Sequence, residues 1–471
     1  MSAGAVEQTP RTASAVPYAL RDSLPAFVAR YVAPGTAGAA MVTLGAFGVG
    51  WLPDRPGLAD VGAVHVLRNT TLGTLSAGAV LVAGVTLLVF AWLQLGQDIR
   101  RGYVPELRRL WLTCVAWCVP LIISPPLFSR DVYSYVAQGK LVAAGIDPYQ
   151  HGPSVLAGWA ADGVDPLWAD SPTPYGPLFL VFGRGIVNLS GPDPYLAAMG
   201  FRLLALVGVG LLAWAVPELA RSFGARPAVA LWLAVLNPLV LMHFVSGAHN
   251  DALMVGLIAA GMALTLRNRP FVGLLAVAAA GAVKPIGLLA LPFVGVLAAG
   301  YGAPWRLIAR RWLIACAVTL GLFVGLSLVT GTGWGWTDAV NNSSAVRTWL
   351  SPSTAFGMTL GSGFEVARFE VTDTMVVVCR TIGSLVALGV VSYLAFWRAR
   401  NAPVRAAGLA FLVVVICGPV VQPWYLLWAL PFLAVTLVGR IERTLRFVII
   451  GTVALSTFTV ISHFLDGAGY M

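Results

Sequence analysis

The sequence predicts an all-α integral membrane protein with about thirteen transmembrane or re-entrant helices and a large outer loop after the third. Hydrophobic residues make up 58% of the chain and charged residues only 11%, whereas a soluble domain carries about 25% charged residues. Apolar runs recur along the whole chain, and its mean hydropathy is +0.81. Basic residues cluster in alternate loops, as they do in proteins that cross a membrane many times.

Two regions follow from these patterns. Residues 1–35 are polar and broken by proline, which predicts a cytoplasmic N-terminal tail with a surface helix near 18–31. Residues 36–471 predict a single transmembrane domain. The apolar segments that predict its helices lie near 36–52, 73–95, 110–127, 196–216, 228–246, 252–266, 270–283, 285–300, 312–330, 374–397, 406–421, 424–439 and 447–463.

The distribution of arginine predicts the orientation. With the N-terminus in the cytoplasm, 20 of the 30 basic residues fall in inner loops. A single span over 270–300 would invert the orientation of every later helix and place the arginine-rich loops outside. We therefore expect a re-entrant hairpin or two broken helices there. The outer side then carries the loops 128–195 and 331–373. The net charge of +10 follows from this topology, so the expected partner is membrane lipid and not nucleic acid.

Asp131 is the residue around which a catalytic hypothesis can be built. It follows the third apolar segment and has Arg130, Tyr133, Tyr135 and Gln138 close by in sequence. Tyrosine and glutamine suit sugar hydroxyls, and an outward carboxylate can take a proton from an acceptor hydroxyl. The alternative is an acid that only caps a helix N-terminus through its free N–H groups.

Lys284 lies inside a long apolar run. An ionisable group at such a position is costly and usually functional, although a lysine near a helix end can also extend to the interface. As a point charge it suits a phosphate oxygen, and Arg130 or Arg347 could supply a second, bidentate contact.

Further polar and aromatic residues fall in turns that this topology places outside. His249-Asn250-Asp251 could ligate a metal, but no second ligand cluster is evident, so we expect no metal; a helix cap is the structural alternative. No phosphate-binding glycine loop or nucleotide fingerprint is present, and we expect no cofactor. The residues predicted to contact substrate are Tyr133, Tyr135, Gln138, Tyr175, His249, Asn250, Asp251, Gln422, Trp424 and Tyr425.

Several motifs together resemble one family. They are Phe128-Ser129-Arg130-Asp131-Val132-Tyr133-Ser134-Tyr135 with Gln138-Gly139, Asp147-Pro148-Tyr149, Pro174-Tyr175-Gly176-Pro177, Leu236-Asn237-Pro238-Leu239-Val240 and His249-Asn250-Asp251-Ala252-Leu253-Met254-Val255-Gly256. Over roughly residues 40–465 the chain is similar to the actinobacterial polyprenyl-phosphomannose-dependent α-(1→6)-mannosyltransferases of lipomannan and lipoarabinomannan synthesis.

The resemblance implies a GT-C glycosyltransferase fold with an active site on the outer face of the plasma membrane. It implies polyprenyl-phosphate-mannose as donor, a glycolipid mannan as acceptor, inversion at the anomeric carbon and no nucleotide sugar. Asp131 occupies the place of the catalytic carboxylate. A flippase or transporter of lipid-linked saccharides, or a GT-C transferase of another sugar such as arabinofuranose, is the alternative.

Overall fold

The computed structural model describes residues 23–337, 347–366, 371–438 and 442–467, and these contain helices, turns and no strand. The α-helices are α1 (Leu24–Val49), α2 (Gly62–Asn69), α3 (Thr71–Arg100), α4 (Leu107–Cys118), α5 (Asp131–Ala143), α6 (Pro177–Ser190), α7 (Pro194–Ser222), α8 (Pro227–Ala234), α9 (Asp251–Leu266), α10 (Pro270–Val283), α11 (Leu291–Ala299), α12 (Trp305–Thr330), α13 (Pro352–Val366), α14 (Thr372–Tyr393), α15 (Pro403–Cys417), α16 (Leu430–Ala434) and α17 (Glu442–Gly467).

Six of these helices are long and apolar enough to cross a membrane: α1, α3, α7, α12, α14 and α17. A further pair, the π-helix Val240–Ser246 and α9, passes the same test together but is bent by 109° at its break. Helices α6, α10 and α15 are apolar but shorter. The chain is therefore an all-α multi-span membrane protein, as predicted.

The first span begins at Leu24 and not near residue 36, the start expected from sequence. The sequence predicted a polar tail over residues 1–35, broken by proline, with a surface helix near 18–31. A π-helical turn over Val28–Val32 precedes Pro34. This wider turn lets the helix continue past a proline, which has no backbone N–H to donate. Arg30 pairs with the buried Asp98 at 2.8 Å. Residues 1–22 lie outside the described part of the chain.

The predicted break at Lys284 is present. Helix α10 ends at Val283, Lys284 is extended, and a 3₁₀ turn over Pro285–Ala290 leads into α11. A Cβ placed on Gly287 would lie 2.8 Å from the Ala280 carbonyl carbon, so the chain folds back against α10. The reversal places Lys284 at the end of two packed helical segments.

The stretch 128–195, predicted as one outer loop, holds two helices. Helix α6 covers Pro177–Ser190, and α5 is buried along nearly its whole length. The intervening loop is fastened to α5 because Asp162 pairs with Lys140 at 2.8 Å and with Arg55 at 2.5 Å. Asp131 thus begins a core helix and does not lie in a loop.

Helices α7 and α9 cross at very short range. A Cβ on Gly208 would lie 2.3 Å from the backbone of Ala252, and one on Gly256 would lie 2.4 Å from the Gly208 oxygen. Only glycine allows this approach, which small residues commonly provide between membrane helices. The crossing fixes the first turns of α9, and with them the turn that precedes Asp251.

Candidate active site

Asp131 is the first residue of α5. Its backbone N–H donates to the Ser129 hydroxyl at 3.0 Å, and Phe128 before it has a left-handed backbone with φ of 67°. A bulky residue in that conformation is strained, and such strain is concentrated at functional sites. The Asp131 side chain is 22% exposed, so a ligand can reach it.

The ring of His249 faces the Asp131 carboxylate. His249 Nδ1 lies 3.5 Å from Asp131 Oδ2, and the histidine side chain is fully buried. A face of the His249 ring stacks on the ring of Trp424, with centroids 4.0 Å apart and an angle of 25° between the planes. Three segments distant in sequence therefore meet at this point, and the indole fixes the plane of the imidazole.

Asp251 and Lys284 form an ion pair in the same region. Lys284 Nζ lies 2.8 Å from Asp251 Oδ1, and Trp428 Nε1 donates to the same oxygen at 2.6 Å. Asp251 is fully buried, while the Lys284 side chain retains 15% exposure. The ammonium lies 5.2 to 5.8 Å from the rings of Tyr425, Trp428 and Tyr175, within range of cation–π attraction. The amine has three donor protons, so it can hold Asp251 and still meet an anion.

The Pro174-Tyr175-Gly176-Pro177 turn docks directly on the end of α10. Gly176 N–H donates to the Val283 carbonyl at 3.0 Å, next to Lys284. A Cβ on Gly176 would lie 2.3 Å from the Ala282 carbonyl oxygen. The glycine thus brings the ring of Tyr175 to the lysine.

Gly176→Ala is expected to displace this turn and lower the thermal midpoint, because backbone atoms cannot move aside as a flexible side chain can. The expected cost is on the order of 1–3 kcal/mol. Gly185→Ala in α6, where a Cβ meets nothing within 4 Å, is the matched control. It should not lower the thermal midpoint, because alanine is the better helix former. Equal melting curves for the two variants would contradict the close docking.

Burial raises the pKa of the Asp131 carboxyl from its usual 3.8 to about 6, and Lys284 opposes that rise by favouring the charged form. Asp251 and Asp165 add smaller upward contributions. A carboxylate whose pKa lies near neutral is suited to accept a proton from a hydroxyl.

Several buried polar atoms around these residues have no hydrogen-bond partner within the described part of the chain. Such atoms are rare in native cores, because each costs about 1–3 kcal/mol when left unpaired. Their concentration here is typical of a site that binds polar groups such as hydroxyls. They are Ser134 Oγ, Gln138 Oε1, His249 Nε2, Asn250 Oδ1 and Nδ2, Asp251 Oδ2 and Trp424 Nε1.

The remaining predicted residues divide between this cluster and other places. Tyr135 packs edge-on against Tyr175, with centroids 5.2 Å apart, and Tyr425 stacks on Trp428. Gln422 lies directly before the 3₁₀ turn that carries Trp424 and is partly buried.

Three predicted ligands are engaged elsewhere. The Tyr133 hydroxyl donates to the Trp51 carbonyl at 3.0 Å, and the Arg130 guanidinium stacks on the Trp51 ring at 3.7 Å. Arg347 forms an exposed ion pair with Asp373 at 2.6 Å. In this structure Tyr133 and Arg130 therefore anchor the start of α5 to Trp51, whereas the charge of Lys284 is near enough to Asp131 to act on its pKa.

Sequence reasoning missed Trp428 and Arg202. Trp428 lies four positions after Trp424 and hydrogen-bonds Asp251. Arg202 is fully buried within α7, and a charge inside an apolar helix was the signal that could have revealed it. Among the described residues, no group of three or more His, Cys, Asp or Glu is placed to hold a metal ion.

Fold and site together define a multi-span membrane protein with a carboxylate, a partly buried lysine and aromatic rings gathered at breaks between its helices. Two family models match this chain. The one described as "Alpha-(1->6)-mannopyranosyltransferase, N-terminal domain" covers residues 32–300, and the "MptB C-terminal domain" covers residues 353–471. The chain belongs to the alpha-(1->6)-mannopyranosyltransferase family.

Individual relatives agree over most of the chain. It is 36% identical over 413 residues to "Alpha-(1->6)-mannopyranosyltransferase A" of Mycobacterium tuberculosis, covering 84% of this chain and 78% of the relative. It is 32% identical over 412 residues to a protein of the same name from Corynebacterium glutamicum, covering 82% and 84%. The resemblance noted in the sequence is confirmed at the level of the family.

Proposed function

We propose that this protein transfers mannose from polyprenyl-phosphate-mannose to a glycolipid mannan acceptor, forming α-1,6 linkages with inversion. The observation that carries the proposal is the Asp131 carboxylate, partly exposed and facing His249, with the ammonium of Lys284 close enough to act on its pKa. The names of the relatives support the sugar and the linkage.

The reaction we propose is a single displacement. Asp131 accepts the proton of the acceptor's 6-hydroxyl, and that oxygen attacks the anomeric carbon as the bond to the lipid phosphate breaks. Lys284 stabilises the negative charge that grows on the departing phosphate, where a fixed cation is worth more in the transition state than in the ground state. A β-linked donor then gives an α-linked product.

The aromatic rings and unpaired polar atoms have a role in positioning. His249 stacked on Trp424, with Asn250 beside it, would orient the two sugars. Sugar hydroxyls would form hydrogen bonds with the buried polar atoms of the site that have no protein partner. Orientation of two reactants supplies a large part of the rate gain in bimolecular reactions.

The proposed setting is the outer face of the plasma membrane, with the N-terminus in the cytoplasm and a GT-C architecture. Arginine is concentrated in the loops that this orientation places in the cytoplasm, as the positive-inside rule predicts. The lipid tail of the donor would reach the site from the outer leaflet.

The transfer rate is expected to rise with pH through an acid limb centred near pH 6. The pKa of Asp131 is raised to about 6, so the carboxylate form that accepts a proton predominates above that pH and is lost as pH falls through it. The measurement is kcat/KM against pH for purified enzyme, which reports the ionisation of the free enzyme, with thermal stability checked at each pH. A limb centred near the ordinary value of 3.8 would contradict the proposed base.

One assay separates the proposal from its main alternatives. Purified protein in detergent is given polyprenyl-phosphate-mannose and a synthetic α-mannoside. A mannosyltransferase forms an elongated mannoside without a bilayer, whereas a flippase forms none. Turnover of polyprenyl-phosphate-arabinofuranose in place of the mannosyl donor would indicate a transferase of another sugar.

A further inference from the structure

A single guanidinium joins the two backbone segments that carry Asp131 and His249. Arg202, in α7, is fully buried. Its Nη1 donates to the Ile122 carbonyl at 2.7 Å, at the end of the 3₁₀ turn Val119–Ile123 that follows α4. The same side chain donates from Nε to Val245 O at 2.9 Å and from Nη2 to Ser246 O at 2.8 Å.

These carbonyls belong to the ends of two helical segments that lie shortly before Asp131 and His249 in sequence. The last carbonyls of a helix lack partners within it and carry partial negative charge. One helical segment ends at Ile123 and continues through Pro125 to Asp131; the other ends at Ser246 and continues to His249. Arg202 satisfies both ends at once.

The environment makes this arrangement specific to arginine. A charge inside a membrane helix is costly unless its donors are satisfied. Arg202 forms no ion pair within the described residues; its donors meet carbonyls and the Met199 sulfur. A planar fork with several fixed donors can bridge two backbones, whereas a lysine is a single point.

The turns that leave both helix ends are strained. Phe128 has φ of 67° and Ala248 has φ of 53°. Non-glycine residues remain in that region only when their surroundings hold them. The two strained turns lie between the Arg202 contacts and the residues Asp131 and His249.

We propose that Arg202 is a positioning residue that sets the separation and facing of the Asp131 carboxylate and the His249 ring. The proposal rests on the function proposed above. Arg202 touches neither substrate nor the reacting atoms, and it acts through the backbone of the two turns.

The test compares Arg202→Lys with Arg30→Lys. The second substitution weakens the guanidinium contact between Arg30, near the start of α1, and Asp98. For Arg202→Lys we expect kcat per folded enzyme to fall roughly 10- to 100-fold with the donor KM within about twofold of wild type, because a shift near 1 Å in reacting groups has an effect of that size. Arg30→Lys should lower the thermal midpoint but leave kcat unchanged.

Arg202→Gln keeps amide donors without the charge and is the second variant should the lysine protein not accumulate. An unchanged kcat in a folded Arg202 variant, or a loss confined to KM, overturns the positioning role. Failure of both variants to fold while Arg30→Lys folds also overturns it, since the arginine would then serve the fold alone. Asp131→Asn is assayed alongside: if it retains full transfer, the base assignment fails, whereas an inactive Asp131→Asn with a normal Arg202→Lys refutes only this proposal.

Discussion

Asp131→Asn is expected to lower kcat by about 10²- to 10⁴-fold, the usual contribution of a general base. The substitution keeps the size of the side chain and removes the ability to hold a proton from the acceptor hydroxyl. Because the carboxylate is desolvated in the folded protein, the amide should not reduce stability. The protein should accumulate normally in membranes and bind donor with little change in KM.

Asp193→Asn is the matched control for this variant. Asp193 caps α7, where it accepts hydrogen bonds from the N–H groups of Tyr195 and Leu196, and asparagine caps helices equally well. It should transfer mannose at the wild-type rate. Near-normal transfer by Asp131→Asn, measured with polyprenyl-phosphate-mannose under the same conditions, would remove Asp131 from the role of base.

Lys284→Met is expected to have two effects that can be separated. The first is on stability: the variant leaves Asp251 buried and without its counter-ion, which typically costs 3–5 kcal/mol. The second is on the donor, whose phosphate loses a charge-assisted contact. That loss should raise the donor KM roughly 10- to 100-fold. It should lower kcat as well, because the negative charge on the phosphate is greatest in the transition state.

The double variant Lys284→Met with Asp251→Asn separates the effect on stability from the effect on the donor. The asparagine removes the buried charge, and its side-chain oxygen can still accept from Trp428. Thermal stability should therefore recover in the double variant, while the donor KM stays high. Recovery of both quantities would show that Lys284 serves only as the counter-ion of Asp251.

The other lysine of the chain supplies the matched pair of controls. Lys140 pairs with Asp162 at the same distance of 2.8 Å, away from the proposed site. Lys140→Met should lower stability less than Lys284→Met does, because Arg55 still pairs with Asp162 and Lys140 is 24% exposed. Adding Asp162→Asn should not restore stability, because it also removes the pair with Arg55. Neither should change the donor KM.

The membrane class, the family and the break at Lys284 could be predicted from sequence because each depends on local signals. Apolar runs report burial in lipid, and an ionisable residue within such a run stands out. The segments of Asp131, His249, Lys284 and Trp424 were expected on one side of the membrane. The structure brings them together at contact distance.

The pairing of the side chains could not be predicted, because it depends on packing between distant segments. Lys284 was expected to face a phosphate, and its partner Asp251 lies 33 residues away in sequence. Arg130 was expected to face the donor, but the ring of Trp51 holds its guanidinium. The start of α1 was placed too late because no local signal reveals that Asp98 neutralises Arg30.

The stereochemistry of transfer by purified protein tests the central claim most directly. The donor is polyprenyl-phosphate-mannose with a β anomeric linkage and a ¹³C label at the anomeric carbon. The acceptor is a synthetic α-mannoside, and the product is examined by NMR. Direct displacement assisted by Asp131 predicts an α-linked mannose on the acceptor's 6-oxygen, formed by wild type and not by Asp131→Asn. A β-linked product, or equal yields from the two proteins, would contradict the account.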